Sequence, residues 1–254
     1  MNKKELKEFL DEKAALYEKP DFIPLDPIQI PHRFTIKEDI EIAGFLAATI
    51  SWGNRKSIIN SANRLMDIVG QSPHDFVMSY TQEDTHLLSN FVHRTFNAID
   101  LDTFIRSLQN IYTNHEGLEQ VFANPISQNS LQTAISEFKK VFFEIPHQQR
   151  TQKHVSDPLR NSAAKRINMF LRWMVRDASA GVDLGIWNSI PSAALSCPLD
   201  VHTSTIARKL GLLSRKQNDA KTLKELDTSL RKMDAVDPVK YDFALFGLGA
   251  IEKF

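Results

Sequence analysis

The sequence predicts an all-α protein whose helices form two lobes. Apolar residues recur at helical spacing along most of the 254 residues, and no stretch shows the strict alternation of a half-buried strand. A hydrophobic content of 42% is enough to bury a substantial core. The polar stretch 145–162 is the predicted junction. We therefore expect residues 1–254 to form a single two-lobed helical domain, with lobe one about 42–150 and lobe two about 1–41 plus 151–254.

Each helix is predicted from its periodicity together with its start and stop residues. Asp39 is the predicted N-cap of a strongly apolar helix, which we expect at the centre of the core. Ser72 followed by Pro73 is typical of an N-cap and a first helical residue, and predicts a short helix. Prolines between residues 20 and 31 predict an extended loop, because each removes an amide donor and fixes φ. The other predicted helices span residues 3–17, 40–50, 56–69, 101–112, 131–143, 163–177, 201–213, 220–233 and 238–248.

Charge and cysteine content restrict the function classes. The 31 Lys and Arg residues balance 31 Asp and Glu residues, so binding to nucleic-acid phosphates must depend on a local basic patch. Cys197 is the only cysteine, which excludes an intramolecular disulfide and a zinc or iron–sulfur site held by several cysteines of one chain. The N-terminus lacks the apolar region of a signal peptide, and no run of about eighteen apolar residues occurs. We expect a soluble, cytoplasmic, monomeric protein without membrane association.

Lys165 stands at the start of the predicted helix 163–177. At about 100° per residue, the apolar residues of this helix share one face, and Lys165, Arg172 and Arg176 share the opposite face. Two interpretations stay open for that opposite face: a solvated basic surface, or a basic stripe along a cleft. A helix N-terminus and the neighbouring Arg166 both favour the neutral amine, which is the form that attacks carbon and builds a Schiff base.

Asp200 ends a segment containing glycines and prolines, and it precedes the predicted helix 201–213. Asp is a preferred N-cap, so capping of this helix would by itself explain the residue. A carboxylate at a helix start can also face a substrate. Since capping and catalysis are compatible, both roles stay open for Asp200.

Several segments occur together in an order that resembles a known enzyme superfamily. Lys165 is followed by Phe170-Leu171-Arg172, and the segment from Asp200 to Leu212 joins an aspartate to a helix with basic and Leu-Gly positions. Residues 45–65 look like an opening helix pair, and residues 241–249 look like a closing helix. Over roughly residues 40–250, this arrangement resembles the helix-hairpin-helix (HhH-GPD) DNA glycosylase superfamily of base-excision repair. The chain is also similar to an uncharacterised bacterial family related to those enzymes.

This resemblance implies a two-lobed helical glycosylase fold and base excision from double-stranded DNA that holds a damaged base. The separation of Lys165 and Asp200 is most like that of the 8-oxoguanine and archaeal oxoguanine branches. In the implied mechanism the target nucleotide flips out of the duplex, and Lys165 attacks the sugar C1′. The resulting imine permits β-elimination at the 3′ phosphate, an AP lyase step. Asp200 stabilises the developing positive charge or deprotonates the nucleophile. No cofactor and no metal are implied.

Further residues are expected to contact the base and the DNA backbone. The base-contacting candidates are Ser51, Trp52, Asn54 and Asn97; the Trp52 ring could stack on a base or pack in the core at a helix end. The superfamily's hairpin has glycines that bring backbone amides close to a phosphate, whereas residues 157–164 contain none. The cysteine cluster of the iron–sulfur branch is also missing. Contacts with the DNA backbone are expected instead from Arg160, Asn161, Ser162, Arg166, Arg172 and His202.

Two other function classes stay open. The neutral overall charge and the glycine-free hairpin favour a non-catalytic nucleic-acid-binding module of the same fold. A metal-dependent helical phosphohydrolase would need imidazole and carboxylate ligands. The candidates for those ligands are His32, His74, Asp75 and either Asp200 or Asp242.

Overall fold

A computed structural model describes residues 1–124 and 131–254 and is mostly helical, which confirms the predicted all-α class. One two-stranded antiparallel hairpin, Val92–His93 with Phe96–Asn97, interrupts the helices. Helices α1–α6 are Lys3–Tyr17, Lys37–Thr49, Arg55–Val69, Pro73–Ser79, Thr85–Leu88 and Ala98–Asn114. Helices α7–α12 are Leu118–Ala123, Gln132–Phe142, Lys165–Val175, Val201–Lys209, Ala220–Met233 and Tyr241–Ala250.

The proline-rich segment is not the extended loop that the sequence predicts. It forms the short 3-10 helices Pro20–Leu25, Pro27–Gln29 and Pro31–Arg33. Proline fits the first position of such a turn, where the amide has no intrahelical acceptor and the fixed φ is already suitable. The prolines therefore start helical turns here and do not prevent them.

Asp39 does not cap the helix that it was expected to cap. Helix α2 begins at Lys37, and Asp39 lies inside its first turn. The Asp39 side chain instead accepts a hydrogen bond of 2.8 Å from the backbone amide of His74. The carboxylate thus satisfies an amide in the first turn of α4, where Ser72 makes no side-chain cap.

The helices group into two compact units, and the first comprises residues 24–124 and 134–156 of the described chain. Helix α2 is buried from Asp39 to Thr49 and packs against α3 and α4, as expected for the central helix of a core. Residues 24–41, expected in the other lobe, lie in this unit because the turns around Pro27 and Pro31 pack on α2 and α3. The core of this unit contains a cluster of aromatic rings, Phe45, Phe96, Phe104, Phe138 and Phe142.

The second unit comprises residues 1–23, 131–133 and 157–254 of the described chain and contains both Lys165 and Asp200. Helix α12 packs against α1 and α10. Gly247 of α12 allows the close approach of α1, because a Cβ at this position would overlap the ring of Tyr17. Among the helices described, none has the length and apolar character needed to cross a membrane.

Candidate functional site

Lys165 and Asp200 lie side by side in the second unit. The Lys165 Nζ atom is 3.9 Å from Asp200 Oδ2, and the two side chains are 34% and 19% exposed. Lys165 is the first residue of α9, and Asp200 is the N-cap of α10. The pair thus joins the starts of two helices and is partly open to solvent.

The two carboxylate oxygens of Asp200 have different partners. Oδ1 accepts a hydrogen bond of 2.8 Å from the backbone amide of Thr203, which confirms the predicted N-cap. Oδ2 is the oxygen nearest to Lys165. Because the cap holds one oxygen, the other is held in a defined direction toward the amine.

The turn that leads into α9 adopts left-handed backbone conformations without glycine. Asn161 has a φ of 65° and Ala164, directly before Lys165, has a φ of 44°. An L-residue other than Asn or Asp pays roughly 1–2 kcal/mol for this conformation. Strain of this kind is concentrated at functional sites in proteins. The turn therefore has a positive φ at two positions although it contains no glycine.

This turn is fastened to the start of α11. Ser162 forms a β-bridge with Asp219, and the amide of Ala220 donates to the carbonyl of Asn161 at 3.2 Å. The Asn161 side chain donates to Asp219 as well, at 3.4 Å. The Thr222 backbone amide, together with side-chain donors, lowers the pKa of Asp219 to about 2. Two residues expected to contact DNA, Asn161 and Ser162, thus lie in a turn that precedes Lys165 and is hydrogen-bonded to the start of α11.

Arg172 and Arg176 do not form the basic surface that periodicity allows. Their side chains are each 5% exposed and are held by carboxylates. Arg172 pairs with Asp242 at 2.6 Å and with Asp183 at 3.2 Å. Arg176 pairs with Asp183 at 2.6 Å and also reaches Glu18 and Asp237. Arg172 was expected to contact the DNA backbone; this is wrong, because its guanidinium is buried in an internal ion-pair network.

The remaining expected backbone contacts differ in their accessibility. Arg160 is exposed, and its Nε atom lies 3.7 Å from Asp157. His202 is exposed as well, with its ring against the edge of Phe246 at 6.0 Å between centroids. Arg166 is half-buried, and burial lowers the pKa of its guanidinium to about 10. Of these three residues, Arg160 and His202 are therefore the ones whose side chains are exposed to solvent.

The four expected base-contacting residues lie in the first unit, and three of them have structural roles there. Ser51 is buried and its hydroxyl donates to the carbonyl of Ala47 at 2.7 Å, so its assignment as a substrate contact is wrong. Asn54 caps α3 and Asn97 caps α6. Trp52 is half-buried, which leaves both of its interpretations open.

Trp52 and Asn97 nevertheless belong to one polar cluster, which the sequence did not predict. The Trp52 ring lies 5.9 Å from the ring of His154, and His154 pairs with the fully buried Asp100 at 3.3 Å. Arg150 bridges this cluster, since it reaches Asp100 at 3.2 Å and the side chain of Asn97 at 3.1 Å. The cluster fixes the hairpin and the start of α6.

A metal centre is not supported by the side chains that the structure describes. Over residues 1–124 and 131–254, no three His, Cys, Asp or Glu residues come together as ligands would. His74, a candidate ligand, instead packs its ring against Tyr112 at 5.1 Å. Within the described part of the chain, the candidate ligands of a metal-dependent phosphohydrolase are thus not gathered into one ligand set.

Comparison with known proteins gives a single finding about the family. No curated protein and no solved structure matches the chain. The sequence profile of one family matches residues 26–251, nearly the whole chain. This match corrects the expected membership of the HhH-GPD DNA glycosylase superfamily, because the profile that fits is that of a different family. The chain belongs to the family described as protein of unknown function (DUF2400).

Proposed function

We propose that this protein removes a base from DNA by attack of the Lys165 amine on the sugar C1′. The observation that carries the proposal is the paired placement of Lys165 and Asp200 at the starts of two helices, with 3.9 Å between amine and carboxylate. Both groups are partly accessible, as a nucleophile and its base must be. The strained Ala164 directly before the lysine is a second feature typical of functional sites.

The proposed chemistry needs one nucleophile and one carboxylate. The neutral Nζ forms a bond to C1′ while the bond from C1′ to the base nitrogen breaks, and the departing base takes the electron pair and then a proton from water. The Oδ2 atom of Asp200 accepts the proton that Lys165 loses and stabilises positive charge on the sugar. The product is an aminal; its nitrogen lone pair then forms the C=N bond of an imine while the C1′–O4′ bond breaks and O4′ takes a proton. Loss of a proton from C2′ then permits β-elimination, in which the C3′–O bond breaks and the 3′ phosphate leaves, so the proposed activity is that of a glycosylase with AP lyase action.

Local charge supports a nucleic-acid substrate. From residue 157 to residue 224 the sequence contains 11 Lys and Arg but 5 Asp and Glu, although the whole chain is neutral. Two of these arginines are buried in the internal network, and Asp157 and Asp219 are occupied by hydrogen bonds within the turn and at the start of α11. The exposed cations of this stretch are Arg160, Lys209, Lys216, Lys221 and Lys224. We name these five residues the basic patch.

The fold that fits this activity is a two-lobed arrangement of helices like that of DNA glycosylases. The substrate that we propose is duplex DNA with a damaged base, and 8-oxoguanine is the first base to be tested. The basic patch would bind the phosphates of this DNA, because lysines attract phosphates strongly and independently of base sequence.

Borohydride trapping tests the proposal directly. The protein is incubated with sodium borohydride and duplexes that contain either 8-oxoguanine or an abasic site, and the covalent adduct is separated by gel. We expect an adduct with the natural sequence, none with Lys165→Ala, and an unchanged amount with the matched control Lys232→Ala, which removes an exposed lysine outside the basic patch. Failure of the natural protein to form an adduct with either duplex, or an adduct retained by Lys165→Ala, would refute the mechanism.

The basic patch also favours a second function, a non-catalytic nucleic-acid-binding module. This function requires the exposed cations but neither Lys165 nor Asp200. Duplex binding with strong salt dependence, combined with no base release and no adduct on either duplex, is the result that would select it.

A further inference from the structure

Asp242, in the first turn of α12, is a buried carboxylate that receives hydrogen bonds from three different segments. Arg172 of α9 donates to its Oδ2 at 2.6 Å, and the Thr203 hydroxyl of α10 donates to its Oδ1 at 3.3 Å. The Cys197 thiol, in the loop before α10, donates to the same Oδ1 at 3.6 Å. Asp242 therefore joins the lysine helix, the aspartate helix and the loop between them.

These contacts and the contact between Lys165 and Asp200 together form a closed ring of interactions, which we call the circuit. Lys165 and Arg172 lie on one helix, two turns apart and on the same side. Arg172 pairs with Asp242, and Asp242 accepts from the Thr203 side chain. The backbone amide of Thr203 donates to Oδ1 of the N-cap Asp200, whose other oxygen, Oδ2, faces Lys165. Asp242 thus provides a hydrogen-bonded connection between the lysine helix and the aspartate helix, in addition to the contact of Lys165 with Asp200.

The charges in this circuit are coupled. Burial raises the pKa of Asp242, the Arg172 guanidinium opposes that rise, and the charge of Asp200 adds to it. Arg172 is itself shared with Asp183. A buried carboxylate that lies close to a second carboxylate costs free energy, and the hydrogen bonds from Arg172, Thr203 and Cys197 offset that cost.

We propose that Asp242 is a positioning residue that sets the separation of Lys165 and Asp200 by holding the first turn of α10 through Thr203. The inference rests on the proposed function for its catalytic meaning. Its geometric content stands by itself: without the Asp242–Thr203 hydrogen bond, Asp200 moves relative to Lys165. A misplacement of about 1 Å at a reacting group can cost about 100-fold in rate.

Substitutions at Thr203 separate positioning from charge balance. Thr203→Val keeps the shape and leaves the pair between Arg172 and Asp242 intact, but removes the hydroxyl. Thr203→Ser restores the hydroxyl and serves as the matched rescue. Asp242→Asn removes the charge while Arg172 keeps its contact with Asp183. Thermal unfolding of each variant shows whether the fold is retained.

Two readouts test the inference, one of geometry and one of rate. In crystal structures, we expect the distance from Lys165 Nζ to Asp200 Oδ2 to change by about 1 Å in Thr203→Val and to stay as in the natural protein in Thr203→Ser. In single-turnover trapping, we expect about a 100-fold slower adduct formation for Thr203→Val, restored by Thr203→Ser, with duplex affinity unchanged.

The outcomes distinguish the inference from the proposed function. Unchanged geometry in folded Thr203→Val overturns the positioning role whether or not the protein is an enzyme. An equal trapping rate for Thr203→Val and the natural protein overturns it as well. Absence of an adduct with the natural protein overturns the proposed function, while the crystal structures still decide whether Asp242 positions Asp200.

Discussion

Asp200 has a structural role and a proposed catalytic role that use different atoms of its carboxylate. Its Oδ1 accepts from the Thr203 amide at 2.8 Å, and its Oδ2 faces Lys165 at 3.9 Å. The two roles use different atoms, so they do not compete. They also depend on different properties of the side chain, since the cap needs an acceptor oxygen and the reaction needs a negative charge.

Substitution of Asp200 separates these properties. Asp200→Asn keeps a good N-cap, so we expect the free energy of unfolding to stay within about 0.5 kcal/mol of the natural value. Adduct formation should fall by at least about 100-fold, because the carboxylate charge is lost. Asp200→Ala should lose the same activity and also about 1 kcal/mol of stability. Urea unfolding measures the change in stability, and borohydride trapping measures the change in adduct formation. If Asp200→Asn traps at the natural rate, Asp200 acts only as an N-cap.

Ala164 stores backbone strain directly before the proposed nucleophile, and its neighbour Ala163 offers a matched control. Both side chains are buried, but only Ala164 has a positive φ. Glycine at either position removes a methyl group and loosens the unfolded chain, and only at position 164 does it relieve strain. We expect Ala164→Gly to be about 1–2 kcal/mol less destabilising than Ala163→Gly in urea unfolding. Equal losses would show that the left-handed conformation costs nothing here.

At the scale of whole elements, helix α9 is held by an ion-pair network. Arg176 lies at its C-terminal end and contacts Glu18 after α1, Asp183 in the following loop, and Asp237 before α12. Each of these carboxylates comes from a separate segment of the second unit. The arginine therefore joins segments that lie far apart along the chain.

Removal of Arg176 should lower the free energy of unfolding more than removal of an arginine from a surface ion pair does. In Arg176→Met, Asp183 would keep only Arg172, so we expect a loss of about 3–5 kcal/mol in the free energy of unfolding. The control Arg160→Met removes an exposed arginine and should change it by about 0.5 kcal/mol or less. The comparison is made by urea unfolding at one pH. Similar losses for the two variants would mean that the network contributes no more than a surface pair.

Helices with clear periodicity and local caps could be predicted from sequence, whereas interactions between distant residues could not. Helices α1 and α11 span the predicted residues 3–17 and 220–233, and Asn2 and Asp219 cap them. The burial of Arg172 and Arg176 on the opposite face of α9 could not be predicted, because a buried arginine and a solvated one have the same helical spacing. Only the fold shows that Asp183 and Asp242 lie against that face.

The short hairpin and the left-handed turn escaped prediction for a different reason. Each strand has two residues, too few for alternation to be visible. Glycine is the usual sequence sign of positive φ, but here Asn161 and Ala164 adopt it, and the contacts of the turn with Asp219 and Ala220 hold this conformation. The sequence could therefore place Lys165 at a helix start without showing the turn that presents it.

At the scale of the whole molecule, positive charge is distributed unevenly along a chain with no net charge. The stretch 157–224 carries a surplus of positive residues and includes Lys165, Asp200 and the basic patch. Contacts between the turn at Asn161 and the start of α11 bring Arg160 and Lys221 into neighbouring segments. If these residues contact the phosphates of DNA, as proposed, duplex binding must weaken as the salt concentration rises.

The slope of log K for duplex binding against log salt concentration reports how many cations contact phosphates. Each contact that releases a counterion adds about 0.9 to the steepness of log K against log salt concentration. We expect Lys216→Ser and Lys221→Ser each to reduce the slope by about 1, and the double variant to reduce it by about 2. The matched control Lys3→Ser removes an exposed lysine of α1 and should leave the slope unchanged. Fluorescence anisotropy with an undamaged duplex at several salt concentrations measures these slopes without requiring any catalysis. If Lys3→Ser reduces the slope as much as the patch variants do, DNA binds through general charge and the basic patch is not its site.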